Sequence, residues 1–251
     1  IIDKLLASEG YISNSFNYWA DILRVQSNMR GGGQQYANWI KKSLRENKAY
    51  DEMAYEMLTG EGYSWENGAT GFYLRDDGMP LDNMALAVKT FMGTSLVCAQ
   101  CHDHPFDLWT QREFYEMAAF TYGVQTRIRP ENVQKAQKLI KDPTVRRELN
   151  NITRPLQYGV KESKRALKLP HDYQYDDAKP NETINALAIF NGNIRTKKSE
   201  STRDAYARWI TARDNPRFTT VIVNRLWAKT FGAPLIDPID SMTSDSEAVM
   251  P

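Results

Sequence analysis

Apolar positions in the first third of the chain recur at helical spacing. Phe16, Trp19, Ala20 and Leu23, with Ile22 beside them, form one stripe, and Gly31-Gly32-Gly33 is expected to end that segment. Tyr36, Trp39, Ile40 and Leu44 repeat the pattern, and Met53, Ala54, Met57 and Leu58 follow before Gly60. A Gly-rich loop from Gly60 to Gly71 comes next. Asp82 is placed to cap a helix through Met84, Ala85, Val88 and Phe91, and a further helix is expected from Gln111 to Phe120. These stripes read as core-facing surfaces. Between 155 and 195 the helical period fades. Ala166–Leu169 and Ala186–Phe190 are expected as short strands of a small β-containing insert. Helices resume with Tyr206, Trp209 and Ile210, then with Val221, Ile222, Arg225, Leu226 and Phe231, for which Gly232 supplies a C-cap. No internal repeat or low-complexity tract stands out.

This pattern predicts a mainly α protein: an irregular helical domain with a small β-containing insert. Three segments follow: a helical domain over 1–126, a basic helix and β-rich connector over 127–200, and the start of a second helical domain over 201–251. The chain's 251 residues suffice for one large or two ordinary domains.

Charge changes the picture in one place. Lys and Arg number 32 against 31 Asp and Glu, a balance unlike that of a dedicated nucleic-acid binder. Yet residues 127–168 hold 12 Lys/Arg and 4 Asp/Glu, so the remainder is net acidic. The run reads either as a solvated helical face or as a docking patch for an acidic partner or anionic polymer. No apolar run reaches the length of a membrane span. The chain opens without Met and stops at Met250-Pro251, so it is expected to be a processed or partial segment. Its missing N-terminus is expected to hold a signal peptide or anchor.

The chemistry concentrates in one motif. The only two cysteines stand in Cys98-Ala99-Gln100-Cys101-His102, the pattern of c-type haem attachment. On a helical turn, residues three and four apart share a face. Each thiol can add to a haem vinyl group while His102 takes the iron as proximal ligand. Three other readings stay open. A thioredoxin-like pair would need a parallel-sheet context. A zinc site could draw on Cys98, Cys101, His102 or His104, with Asp107 or His171. The third is an inert or disulfide-bonded pair. Asp103, His104 and Asp107 follow directly. The carboxylates could orient imidazoles or cap the helix near Thr110, and His104 could meet a propionate, a carbonyl or an ion. His171, in Leu169-Pro170-His171-Asp172-Tyr173, is the candidate distal ligand, with Met92 and Met117 as further candidates. Phe106, Trp109 and Phe114 are expected to shield the ring.

The stretch from Cys98 to Tyr115, CAQCHDHPFDLWTQREFY, resembles the signature of paired planctomycete and verrucomicrobial cytochrome-associated domains of unknown function. Leu5-Leu6-Ala7-Ser8, Tyr18-Trp19-Ala20-Asp21, Leu74-Arg75-Asp76-Asp77 and Phe91-Met92-Gly93-Thr94 resemble the first domain. Asn215-Pro216-Arg217-Phe218, Val223-Asn224-Arg225-Leu226-Trp227 and Asp237-Pro238 resemble the start of the second, a planctomycete-specific domain. Pro170-His171-Asp172-Tyr173 and Asp176–Pro180 resemble the segment between them. Such proteins are large, exported and often fused to a separate cytochrome c module. The resemblance implies that the first domain's beginning and most of the second lie outside this chain, so a site shared by both would be incomplete here. It also implies export to the periplasm or cell envelope and a redox association.

The function expected is a haem c electron-transfer domain of an exported redox assembly, with a redox protein or larger envelope complex as partner. The alternatives are a haem- or metal-dependent enzyme acting on extracellular polymers, and a structural envelope subunit whose cysteines form a zinc or disulfide staple.

Overall fold

A computed structural model describes the chain except residues 28, 30, 191, 193, 244, 250 and 251 and the side chain of Pro216. The expectation drawn from Met250-Pro251 therefore lies outside the described residues.

In chain order the elements begin with α1 (Ile2–Leu6), α2 (Glu9–Ile22), α3 (Gly33–Arg45), α4 (Tyr50–Thr59), β1 (Gly62–Tyr63) and α5 (Gly71–Leu74). There follow α6 (Pro80–Met92), α7 (Gln111–Ala118), β2 (Val124–Arg127), α8 (Glu131–Leu139), α9 (Pro143–Thr153) and β3 (Tyr158–Glu162). The last are β4 (Leu167–Lys168), β5 (Thr183–Ile184), α10 (Thr202–Ile210) and α11 (Pro216–Phe231). The fold is mainly α, as its periodicity predicts. The chain divides into two compact units.

The first unit comprises Ile1–Gly78 and Val124–Ser163. Tyr36, Ile40, Met57, Leu58 and Phe72 are fully buried in its core. Its sheet runs β1-β3-β2, all antiparallel, with Gly62 opposite Val160 and Arg127 opposite Tyr158. A Cβ on Gly159 would lie 2.8 Å from the Gly62 carbonyl, so only glycine lets these strands approach. After α5, Arg75 and Asp76 pair at 2.8 Å with side chains 1% and 3% exposed. Arg75 Nη1 also donates to the Leu23 carbonyl, and Asp77 accepts from Arg127 and Thr126.

The second unit comprises Met79–Gly123 and Lys164–Pro251. Met84, Val88, Phe91, Phe114, Tyr206, Ile210 and Val221 fill its core. α6 packs on α11, with the Phe91 and Phe218 rings 6.4 Å apart.

Several local expectations change. The Gly31–Gly33 run lies at the start of α3 rather than at the end of α2, which stops at Ile22. Asp82 sits inside the first turn of α6; Met79 is the N-cap and Pro80 the first helical residue, where a missing N–H costs nothing. Leu167–Lys168 is a strand as expected, paired with β5, but Ala186–Phe190 is irregular. β1 lies within the stretch expected as a loop. The basic stretch folds as α8 and α9; α8 buries no residue and α9 buries only Thr153. Gly232 caps α11 in the left-handed region, at φ 86°.

Candidate functional site

The cysteine motif lies in the second unit, between α6 and α7. Gly93 ends α6 at φ 60°, and its carbonyl accepts from Met242 N at 2.7 Å. The following residues form a 3-10 turn over Val97–Gln100. Leu96 and Ala99, three apart, are wholly buried. Burying that side of the turn puts Cys98 and Cys101 on the other, where both are exposed and free. Cys101 N and His102 N both donate to the Cys98 carbonyl, at 3.2 and 3.4 Å, so the motif occupies a single helical turn.

α7 holds the turn from behind. Gln111 Nε2 donates to the Gln100 carbonyl, and Gln111 N donates to Asp103 Oδ1 at 2.8 Å. Thr110 and Glu113 form a capping box that fixes the start of the helix. The loop between is closed by His104 N donating to the Trp109 carbonyl. Asp107 accepts from Leu108 N and from the Trp109 indole. Asp103 and Asp107 thus brace the start of α7 and the loop before it.

The two histidines differ in a way that matters for metal binding. His102 Nδ1 is 2.7 Å from the Asp103 carbonyl oxygen. A carbonyl can only accept, so Nδ1 carries the proton and Nε2 keeps its lone pair. His104 has the opposite arrangement: its Nδ1 accepts from Phe106 N at 3.2 Å, which places the proton on Nε2. His102, an exposed residue, thereby keeps a ligand nitrogen on a ring steadied by a backbone carbonyl, as metal-bound imidazoles commonly are. His104 spends its lone pair on the turn.

A distant segment joins this site. Asp103 N donates to the Tyr175 hydroxyl at 2.7 Å, and Arg112 Nη1 donates to the Asp177 carbonyl. Tyr173 donates to Asp177 and packs edge-on against Tyr175. Burial pushes the Tyr115 hydroxyl's pKa up, helped by the charges of Cys101 and Asp172. The turn bearing His171 therefore belongs to the surroundings of the motif. His171 itself is 87% exposed beside Asp172. Tyr115 and Tyr175 escaped the sequence reading, because the Asp103–Tyr175 contact joins positions 72 residues apart.

Other candidates land elsewhere. Met92, Met117 and Phe114 are fully buried, and Met117 Sδ accepts from Ile189 N. Phe114 is thus core rather than a shield for a surface ligand. Phe106, Leu108 and Val97 are 87%, 74% and 49% exposed, apolar residues close to the thiols in sequence. Among the described residues, no three His, Cys, Asp or Glu side chains converge on a metal position. A groove of about 560 Å³ opens beside Leu108 and Trp109, with Glu113 and Glu116 in its wall. Both carboxylates are engaged, Glu113 in the capping box and Glu116 with Arg112 at 2.9 Å, which leaves neither placed as a free acid or base. No helix among the described residues is long and apolar enough to cross a membrane.

No curated protein and no solved structure matches the chain. A family model for PSD1, a protein of unknown function (DUF1553), matches residues 202–251. A second, for PSCyt2, a protein of unknown function (DUF1549), matches residues 1–126 and so takes in the whole cysteine turn and its support on α7. The chain belongs to the PSCyt2 (DUF1549) family.

Proposed function

We propose that Cys98, Cys101 and His102 carry a covalently attached haem c, and that the protein is an electron-transfer domain of an exported bacterial redox assembly. One observation carries the reading: two free, exposed thiols and an exposed imidazole held through Nδ1 share one turn. The cytochrome label in the family's name is consistent with it. When bound, the haem supplies reversible one-electron exchange.

The chain's own residues do the rest. Cys98 and Cys101 would hold the haem through thioether bonds made by net addition of S–H, which calls for no oxidant. Both cysteines must be reduced at that moment, in a compartment that otherwise favours disulfides. The Asp103 carbonyl holds the His102 ring and enriches it as a donor. Val97, Phe106 and Leu108 offer apolar contact to a flat ring. His171 would be the candidate for a second histidine ligand to the iron. A redox protein or a larger envelope assembly is the partner.

The test is the intact mass of protein from its native source, or from a host with c-type maturation machinery, after acid and organic extraction. A mass one haem above the polypeptide is expected. A bare polypeptide, or zinc in stoichiometric amount, refutes the proposal. His102→Ala should abolish the native iron spectrum while His104→Ala preserves most of it; the reverse order contradicts the tautomer argument. Fractionation checks export, and recovery of the full-length protein in the cytosol overturns it.

A further inference from the structure

The basic stretch that the cysteine site leaves unused builds a pocket of its own. It lies wholly within the first unit, where the connector after β2 meets the end of α9. The Ile128 amide donates to the Gln157 carbonyl at 2.7 Å and so ties these two segments together. Arg127, Arg129 and Arg154 line the pocket with Asn150, Asn151 and Gln157, around about 260 Å³. Among the described residues, no carboxylate is in the lining.

The three guanidiniums are not equivalent. Arg127 is held by Asp77, which takes Nε at 3.2 Å and Nη2 at 2.7 Å, so its charge is balanced and its position set. Arg129 and Arg154 have no acidic partner among the described residues. The pocket thus carries two uncompensated positive charges and several amide groups able to donate. α9 presents its C-terminal end here, so the helix dipole opposes an anion with about half a charge. Two full guanidinium charges outweigh that.

We propose that this pocket binds a phosphate- or sulfate-type oxyanion. Guanidinium forks match the oxygen spacing of such groups and form charge-assisted hydrogen bonds to them. The volume falls below the roughly 300–1,000 Å³ of pockets for whole drug-sized ligands, which suits a single charged group or a polymer's substituent. Free anions, lipid headgroups and polymer esters share this chemistry. The site is separate from the cysteine turn and stands whether or not haem is attached.

The experiment is calorimetric titration of the folded protein with sodium phosphate and with sodium sulfate at low ionic strength. Saturable binding at one site is expected, at least tenfold weaker in the Arg129→Ser/Arg154→Ser variant, with the circular dichroism spectrum unchanged. Arginine Nε–H NMR signals followed during the same titration give a readout that needs no variant; those of Arg129 and Arg154 should shift. Sedimentation with phosphatidylglycerol vesicles, but not with phosphatidylcholine vesicles, assigns the anion to a headgroup if free phosphate competes. Binding of the free salts without sedimentation assigns it to a soluble anion or ester. No saturable binding of either salt, or binding that the double variant retains, overturns the proposal.

Discussion

In the unit formed by Ile1–Gly78 and Val124–Ser163, one ion pair is sealed inside. Arg75 and Asp76 are nearly sealed from water, with the Arg75 guanidinium over the Phe72 ring at 4.1 Å. In the unit formed by Met79–Gly123 and Lys164–Pro251, the chemistry from Cys98 to His102 is outside, and what is buried beneath it is Leu96, Ala99 and Phe114. Both arrangements begin from short polar motifs. The difference lies in which neighbours are apolar. Leu74-Arg75-Asp76 follows Phe72 and Tyr73, all packed inside, so its charges must neutralise one another. The cysteine turn buries only every third residue, so its reactive groups stay in reach of solvent and ligands. A buried pair constrains the structure, whereas an exposed turn on a buried foot is free to react.

The comparison breaks first at Asp76. Asp76→Ala strands the Arg75 charge in the core and should cost about 3–5 kcal/mol. Denaturant unfolding should show this, while a conservative change at the surface thiols, Cys98→Ser, should shift the midpoint little. An equal loss from both would erase the distinction between the units.

The foot of the exposed turn comes next. A Cβ at Gly93 would lie 2.4 Å from Met242 Cε and 2.7 Å from the Ile239 carbonyl, at a φ that disfavours side chains. Gly93→Ala should therefore destabilise by about 1–3 kcal/mol through overpacking. A neutral melting temperature would show that the turn does not depend on this close approach.

Tyr175→Phe tests the turn's outer support. It removes the acceptor for Asp103 N and should cost about 1 kcal/mol. Amide exchange at Asp103 should accelerate roughly fivefold, the factor that energy corresponds to. Unchanged exchange would mean α7 alone holds the loop.

The smallest effect is a pH response away from both sites. Arg208 and the Lys197 amide hold the Glu200 carboxyl down from 4.5 to about 2. A lowered folded value means that the contact contributes fully above 4.5 and is lost as pH falls toward 2. Protection near the start of α10, measured against the intrinsic exchange rate at each pH, should fall as pH drops through that window and stay constant above pH 5. A loss of protection centred on neutral pH would place the responsible group elsewhere.

Much of the helical layout was legible because amphipathic stripes repeat over several turns. Met53, Ala54, Met57 and Leu58 mark α4, and Tyr36 and Ile40 mark α3. The sheet was less legible. β1 has two residues, too few to show an alternating period, and its partner β3 lies almost a hundred positions away. Ala186–Phe190 is as apolar as a strand, yet Leu187 N donates to the Glu116 carbonyl on α7 instead of to a neighbouring strand.

For the candidate site, the sequence alone determined the reactive set and its spacing. Cys98, Cys101 and His102 fall on one face because bonding within a turn depends only on residues three and four apart. It also determined that residues 127–168 are basic. Tertiary structure decided everything that depends on distant partners. Tyr175 reaches Asp103, and Arg127 spends its charge on Asp77 while Arg129 and Arg154 keep theirs. It also decided, through Asp103 O and Phe106 N, which histidine has a free lone pair. Identity and spacing are properties of the chain; protonation, exposure and charge compensation are properties of surroundings that only folding assembles.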